Sequence, residues 1–152
     1  MKRLIPVLLV LLAVSSCRRP AMEETFVKVS DRDELGRYCF QVDLADSTLV
    51  YDLDLLVGMA CDDVIFSSFR QLPLRLQWTA PSGQPYEETV WLRRKELSDS
   101  TFYDKHFWVE YRYDLRPVQW GAWNLAVSIP ENLSDQFNVT GTGLRLTRHG
   151  TR

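Results

Sequence analysis

The amino-acid sequence predicts an all-β domain, an antiparallel β-sandwich or jelly roll of about eight strands that follows a cleaved signal peptide. Several segments alternate apolar and polar residues with a period of two, which is the pattern of a strand with one buried face. Turn-forming residues separate these segments at short intervals, and no segment of helical length repeats its apolar residues at helical spacing. Because each strand hides one face, we expect two sheets stacked through their apolar faces.

Residues 1–16 have the pattern of a signal peptide. A positive start, Lys2 and Arg3, precedes an almost wholly apolar run over residues 4–14. That run is too short to span a bilayer comfortably, which takes about 20 residues. A charged start, a short apolar run and a small-residue cleavage site define a secretory signal, so we expect cleavage after Ser16 and exclude the segment from the fold.

The expected cleavage site, Val-Ser-Ser-Cys at residues 14–17, resembles the lipobox of bacterial lipoproteins. In such proteins a diacylglyceryl group is attached to the cysteine thiol before cleavage. The resemblance predicts a lipid anchor on Cys17, and the alternative is an ordinary signal peptide that happens to contain a cysteine. Residues 17–25 would then form a polar tether, in which Arg18 and Arg19 either contact anionic headgroups or remain solvated.

The clearest strands flank the loop at residues 45–48. Apolar residues occupy every second position on both sides of that loop: Phe40, Val42 and Leu44, then Leu49, Tyr51, Leu53, Leu55 and Val57. A hairpin that pairs Leu44 with Leu49 places the apolar residues of both strands on one face. The register is therefore self-consistent, and we expect these two strands to pair with each other.

The same alternation and its turn signals predict the other elements. Further strands are expected at residues 26–29, 74–79, 87–93, 107–113, 123–129 and 137–146. Turns are expected at residues 80–85 and at Asp99-Ser100. A two-sheet core needs large residues to fill it. The sequence supplies them at Phe40, Tyr51, Trp78, Phe107 and Trp123.

One globular domain is expected over residues 26–148. The hydrophobic fraction of 45% and the charged fraction of 25% are ordinary for a folded protein. Loss of the signal peptide removes Lys2 and Arg3, which changes the formal net charge from −2 to −4. Nucleic-acid-binding proteins usually carry a basic surface, so this mild acidity indicates no nucleic-acid partner.

Two cysteines remain if Cys17 is acylated. An oxidising compartment would allow Cys39 and Cys61 to form a disulfide. The expected hairpin register, however, places Cys39 opposite Asp54 and far from Cys61. We therefore expect two free thiols, with a disulfide as the alternative. We expect no zinc site, because no close cluster of Cys or His is present.

Signatures of catalysis are sparse. His106 falls on an outward strand face, and His149 lies in a C-terminal segment that we expect to be frayed. The sequence contains no nucleophile elbow, no phosphate loop and no His-Glu-x-x-His motif. Asp62-Asp63 with Asp52 and Asp54 would suit calcium, although a solvated loop is the commoner arrangement. We expect no enzymatic activity, cofactor or metal, while a carboxylate pair for glycoside cleavage stays open.

Some tryptophans indicate a binding surface. By alternation, Trp91 and Trp108 fall on the polar side of their strands, and Trp120 lies between two predicted strands. A tryptophan in such a position is a candidate for stacking on a sugar ring or for contacting a partner protein. The alternative is that another segment of the chain packs over these side chains.

The tripeptide Asp-Ser-Thr occurs twice, at residues 46–48 and 99–101, in both cases in an expected loop. It resembles the acceptor sequence for O-glycosylation of exported proteins in Bacteroidetes. Ser47 and Ser100 would be the acceptors. Ordinary turn chemistry, in which Asp and Ser bond the neighbouring backbone, is the alternative explanation of both copies.

Short motifs follow one another along the chain in a recognisable order. They are the lipobox at Cys17, FQVD at 40–43, YDL at 51–53, LRL at 74–76, APSG at 80–83, GAW at 121–123 and GTGL at 141–144. In this order the chain resembles the gliding motility lipoprotein H (GldH-like) family of Bacteroidetes. The resemblance implies a β-sandwich lipoprotein of the cell envelope that is associated, in gliding species, with the motility and secretion apparatus. It implies no catalytic residues.

These features favour a non-enzymatic envelope lipoprotein, anchored in the bilayer through acylated Cys17, that binds another envelope protein. Many surface-exported Bacteroidetes lipoproteins carry an acidic cluster where this chain has Arg18 and Arg19. We therefore expect the periplasmic face of the outer membrane. The alternatives are a carbohydrate-binding surface lipoprotein that uses its exposed tryptophans, and a hydrolase with an unrecognised carboxylate pair.

Overall fold

The computed structural model describes residues 21–150; the expected signal peptide, Cys17 and the start of the tether lie outside the described residues. Two single turns of 3-10 helix occur, at Val29–Asp31 and Arg94–Glu96. The helices are α1 (Asp63–Ser67) and α2 (Glu131–Gln136). The strands are β1 (Met22–Lys28), β2 (Tyr38–Leu44), β3 (Leu49–Ala60), β4 (Gln71–Thr79), β5 (Pro85–Arg93), β6 (Leu97–Ser100), β7 (Asp104–Leu115), β8 (Gly121–Ser128) and β9 (Val139–Gly150).

The strands build two antiparallel sheets that stack as a sandwich, which confirms the predicted fold class. The five-stranded sheet has the order β1-β9-β3-β7-β6, and the four-stranded sheet has the order β2-β8-β4-β5. Burying a large apolar side chain between them contributes about 1.5–3 kcal/mol. All five large residues expected in the core are buried there: Phe40, Tyr51, Trp78, Phe107 and Trp123.

The predicted hairpin across residues 45–48 is wrong. β2 pairs with β8, whereas β3 pairs with β7 and β9 in the other sheet. Residues 45–48 therefore carry the chain from one sheet to the other. Both strands keep their predicted apolar face, because each turns it toward the same core. Cys39 is accordingly not opposite Asp54; it lies opposite Ala126, and both Cys39 and Cys61 are free thiols.

The five-stranded sheet extends further along its outer strands than the sequence indicates. β1 begins at Met22, so residues 22–25 pair with β9 instead of belonging to the tether. His149 is not frayed, since it lies in β9 opposite Val50 of β3. The start of β1 and the end of β9 stabilise each other, because their pairing satisfies backbone N–H and C=O groups that neither strand can satisfy alone.

A ninth strand, β6, lies beside β7 at the edge of the five-stranded sheet. Asp99 and Ser100, predicted as a turn, are the last residues of this strand, and the turn follows at residues 101–103. The prediction fails here because β6 has four residues and only Leu97 is partly buried. So short an exposed strand carries no periodic apolar signal.

Two irregularities in the pairing of β3 with β7 interrupt the alternation of β7 at Tyr113. The register shifts between Tyr51 and Leu53 and again between Leu53 and Asp54. Each shift adds one residue to β7, which is the geometry of a β-bulge. Tyr113 therefore turns outward, against the alternation, and its hydroxyl donates to Oδ1 of Asp54 at 2.9 Å.

Three glycines line a shallow groove on the outer face of the five-stranded sheet. Gly58 lies opposite Gly141, and Gly143 follows two residues further along β9. The ring of Phe26 in β1 fills this groove: a Cβ on Gly141 would lie 2.5 Å from its Cε1 atom. An aromatic ring over strand glycines replaces packing that their missing side chains cannot provide. The Gly-Thr-Gly sequence of β9 is thus explained by Phe26.

The two ends of the sandwich differ. We call the end at which β1 begins the near end, and the opposite end the far end. At the near end, one row of residues crosses the five-stranded sheet. Ala21 accepts a hydrogen bond from the Arg148 backbone N–H at 2.7 Å, Arg148 lies opposite Tyr51, and Tyr51 lies opposite Leu115. At the far end, β3 stops and β7 starts, and both helices lie there.

Candidate functional site

An apolar cleft of about 300 Å³ opens between the two sheets at the near end. Five strands from the two sheets contribute apolar or aromatic side chains to it, and the β7–β8 connection supplies the rest. The principal lining residues are Leu44, Trp78, Tyr86, Leu115, Val118 and Trp123. The volume lies at the lower limit of small-molecule sites, which are typically lined by apolar and aromatic groups.

The aromatic rings of the cleft hold one another in place. Trp78 and Trp123 meet edge to face, with ring centroids 6.2 Å apart, and Tyr86 lies 5.9 Å from Trp123. Both indole N–H groups are bonded: Trp78 donates to the Tyr111 hydroxyl and Trp123 to the Gln119 carbonyl, each at 2.9 Å. The rings pack against one another and both indole N–H groups have acceptors, so the shape of the cleft does not depend on a ligand.

The β4–β5 turn shapes one edge of the cleft. The turn predicted at residues 80–85 is confirmed by the hydrogen bonds Gly83 N–H to Ala80 O and Ala80 N–H to Gln84 O. Gly83 has a φ of 87°, which favours glycine. Gly121, with a φ of 143°, starts β8 directly against Pro81, where a Cβ would lie 2.9 Å from the proline Cγ. Larger residues at either glycine would move this edge.

A network of polar side chains borders the cleft. The Tyr111 hydroxyl donates to Glu88, and Arg112 Nη2 pairs with Oε2 of the same carboxylate at 2.8 Å. Burial, and then the hydrogen bond to Glu88, raise the pKa of Tyr111, so this tyrosine stays neutral. Arg116 also lines the cleft; it is exposed and makes no ion pair within residues 21–150.

The far end carries a second feature, an exposed apolar tip. It comprises Val64, Ile65, Phe102 and Tyr103, which are 78%, 43%, 56% and 62% exposed. Lys105 joins the two segments of the tip. Its fully buried ammonium pairs with Asp63 of α1 at 2.9 Å and donates to the carbonyls of Thr101 and Phe102. We refer to these four apolar residues as the far-end tip.

A cluster of four phenylalanines supports the far-end tip from below. Phe69 contacts Phe66, Phe107 and Phe137, with centroid distances of 5.5, 5.2 and 5.1 Å. Lys105 Nζ lies 5.4 Å from the Phe66 ring centroid, within the range of a cation–π contact. The far-end tip is therefore mounted on a packed aromatic base.

No family model matches this chain. No curated protein matches it either. Among solved structures, it is similar to the crystal structure of GEBA250068378 from Sulfurospirillum deleyianum, at 9% sequence identity and a TM-score of 0.37; the match covers 86% of this chain and 99% of that chain. The function is therefore inferred from the residues of this chain.

The three predicted surface tryptophans lie on different parts of the molecule. Trp91 is 45% exposed on the outer face of the four-stranded sheet, and Trp120 is 40% exposed in the β7–β8 connection. Trp108 lies on the outer face of the opposite sheet, where the Arg145 guanidinium covers its ring at 3.5 Å. That guanidinium occupies the position a stacked sugar would take. Trp91 and Trp108 do not form one site.

The two expected serine acceptors are exposed. Ser47 lies in the turn before β3, and Asp46 accepts hydrogen bonds there from the N–H and hydroxyl of Thr48. Ser100 ends β6, and its N–H donates to the side chain of Asp99. Both copies of Asp-Ser-Thr thus have local turn or strand-end hydrogen bonding.

The acidic pairs proposed for calcium lie at opposite ends of β3. Asp62 accepts a hydrogen bond from the Ile65 N–H as the N-cap of α1, at the far end. Asp52 lies near the start of the strand, and its Oδ2 is 2.6 Å from Nε2 of His149. Within residues 21–150, no group of three or more His, Cys, Asp or Glu is arranged to hold a metal ion. His106 is exposed in β7.

The cleft and the far-end tip are the surfaces that sequence reasoning missed. Trp78 and Trp123 were expected in the core, and they are indeed 8% and 7% exposed. A usable signal was their position: each lies within two residues of a strand end that faces a turn. Side chains at such positions have no further layer of strand to cover them.

Proposed function

We propose that this protein is a non-enzymatic lipoprotein of the bacterial cell envelope, anchored through an acylated Cys17 and binding another envelope protein. The observation that carries the proposal is the difference between the two ends of the sandwich. The chain enters at the near end, and the exposed apolar tip lies at the far end. An anchor at one end directs the other end away from the bilayer, toward further envelope proteins.

The lengths of the tether and of the strands support this orientation. Cys17 and Met22 are five positions apart. Such a segment reaches at most about 18 Å when fully extended. β3 has 12 residues, about 40 Å at the usual rise of a strand. An anchored protein would thus keep its near end beside the membrane and hold the far-end tip well clear of it.

The chemistry of the far-end tip suits a protein partner. Phe102 and Tyr103 meet edge to face, with ring centroids 4.6 Å apart, and both are more than half exposed. Aromatic residues are enriched in protein interfaces, and exposed apolar patches commonly mark them. The resemblance to the GldH-like family favours a partner in a gliding motility or secretion apparatus, on the periplasmic face of the outer membrane.

No helix within residues 21–150 is long and apolar enough to cross a membrane. In this proposal the covalent membrane anchor is the acyl group on Cys17. Replacing Cys17 with alanine should therefore abolish incorporation of radiolabelled palmitate and move the protein out of the membrane fraction, or leave it as uncleaved precursor. Ser16→Ala keeps the thiol and a small residue at the cleavage site and serves as the control, which should still be labelled. If neither wild type nor Cys17→Ala incorporates palmitate and both fractionate alike, the proposed anchor is wrong.

The partner surface is tested by site-specific photo-crosslinking in cells. With benzoylphenylalanine at Phe102, we expect an adduct of defined mass with another envelope protein. The matched control carries the same crosslinker at Thr89, which is exposed in β5 on the other sheet. An equal pattern from both positions, or no adduct from Phe102, would contradict a partner site at the far-end tip.

A further inference from the structure

The near-end cleft lies within reach of the predicted anchor. Leu115, in the cleft wall, belongs to the row that runs through Tyr51 and Arg148 to Ala21. That row crosses three strand spacings, about 14 Å. Cys17 is four positions before Ala21, which adds at most about 14 Å of extended chain. A bilayer that holds Cys17 therefore comes close to the mouth of the cleft.

The cleft has the shape and polarity for an aliphatic chain. Its interior is formed by aromatic rings and aliphatic side chains, and the indole N–H groups of Trp78 and Trp123 are already bonded within the protein. A ligand thus meets ring faces and methyl groups in the interior. Val118, 78% exposed, extends this apolar surface. Such a lining recognises hydrocarbon by removing it from water.

The charged side chains beside the cleft favour an acyl chain that belongs to an anionic lipid. Arg112 is neutralised by Glu88 at 2.8 Å, whereas Arg116 is exposed and makes no ion pair in the described part of the chain. A guanidinium forms strong paired hydrogen bonds with phosphate and carboxylate groups. Asp52 and Asp114 line a neighbouring cavity together with Arg116, but neither forms an ion pair with it in the described part of the chain. The diacylglyceryl group expected on Cys17 has no negative charge, so the protein's own anchor offers Arg116 no phosphate or carboxylate to pair with.

We propose that the near-end cleft binds one acyl chain of an anionic lipid from the membrane in which the protein is anchored, with Arg116 at the lipid headgroup. The proposal rests on the proposed function only for the position of the bilayer. Binding docks the near end onto the membrane surface, and so fixes the direction in which the far-end tip points.

The test uses the mature chain, residues 17–152 with Cys17→Ala, expressed without the signal peptide and purified without detergent, so that neither the anchor nor the apolar signal run enters the measurement. The probe is lysophosphatidylglycerol with a dibrominated acyl chain, whose bromines quench tryptophan fluorescence on contact. We expect saturable quenching, because Trp78 and Trp123 line the cleft. The unbrominated lipid should compete for the site without quenching, and brominated lysophosphatidylcholine should bind more weakly.

Two variants at the mouth and one control complete the design. Arg116→Glu and Val118→Asp should each weaken binding by about tenfold, because both place a carboxylate beside the anionic headgroup. Arg75→Glu makes the same charge change on an exposed residue of β4 that does not line the cleft, and its affinity should be unchanged. Quenching that does not saturate, or equal weakening by Arg75→Glu, would overturn the proposal. Neither result bears on Cys17 labelling, so the anchor stands or falls separately.

Discussion

Replacement of Gly141 with alanine should lower the free energy of unfolding by about 3 kcal/mol or more. The new Cβ would lie 2.4 Å from the backbone oxygen of Val27 and 2.5 Å from Cε1 of Phe26. The phenylalanine ring can shift, but the Val27 oxygen belongs to the paired β1 strand and cannot move without breaking the pairing. Urea denaturation followed by tryptophan fluorescence measures the change.

Gly150→Ala is the matched control for Gly141→Ala. Both glycines lie in β9, but a Cβ on Gly150 would meet no atom within 4 Å. Where alanine fits, it usually stabilises a protein by about 0.4–1 kcal/mol, since the unfolded chain has less freedom to lose. The two substitutions should therefore have opposite signs. Similar effects at both positions would show that β1 does not pack over β9 as described.

The glycine groove shows which kind of information the sequence lacked. The Gly-Thr-Gly sequence of β9 has no meaning until β1 and β3 are placed on either side of it. The sequence contains Phe26 and Gly141 more than a hundred positions apart, and no local pattern links them. Contacts of this kind depend on strand order, which alternation does not report.

The lack of information on strand order also explains the wrong prediction of a hairpin between β2 and β3. Alternation states which side of a strand is buried, and this prediction is confirmed for Phe40, Val42 and Leu44. It does not state which strand is the neighbour, because a hairpin and a crossing between stacked sheets satisfy the same pattern. The four residues of the 45–48 loop are enough for either connection. The fold class was therefore predictable, and the topology was not.

The candidate surfaces also depend on which elements are neighbours, which alternation does not report. Trp78 and Trp123 were correctly predicted to be buried, but the cleft exists because their strands end beside each other in the four-stranded sheet. The far-end tip depends on Lys105, which alternation places on the same inward face as Phe107. A lysine at such a position reads locally as an exception to the pattern. Its buried ion pair with Asp63 is visible only when β7 and α1 are brought together.

Replacement of Lys105 with alanine should be the second large loss of stability, about 2–4 kcal/mol. The side chain is fully buried, so truncation leaves a cavity beside Phe66 and removes the donor shared by the carbonyls of Thr101 and Phe102. Asp63→Asn should cost less than Lys105→Ala, because the asparagine oxygen can still accept a hydrogen bond from the ammonium, although the buried positive charge then lacks its carboxylate partner. Urea denaturation of both variants gives the comparison, and equal losses would contradict this account.

Lys105→Met separates packing from hydrogen bonding, because methionine keeps most of the buried stem but donates to neither carbonyl. Its loss of stability should be smaller than that of Lys105→Ala, while amide hydrogen exchange should rise at residues 101–104, where the turn is held by the lysine. If the far-end tip is the partner surface, crosslinking from Phe102 should fall in this variant although the sandwich remains folded. Binding depends on a preformed arrangement of Phe102 and Tyr103, since an ordered surface loses less entropy on association. A buried lysine far from the predicted anchor would then control partner binding through the shape of a single turn.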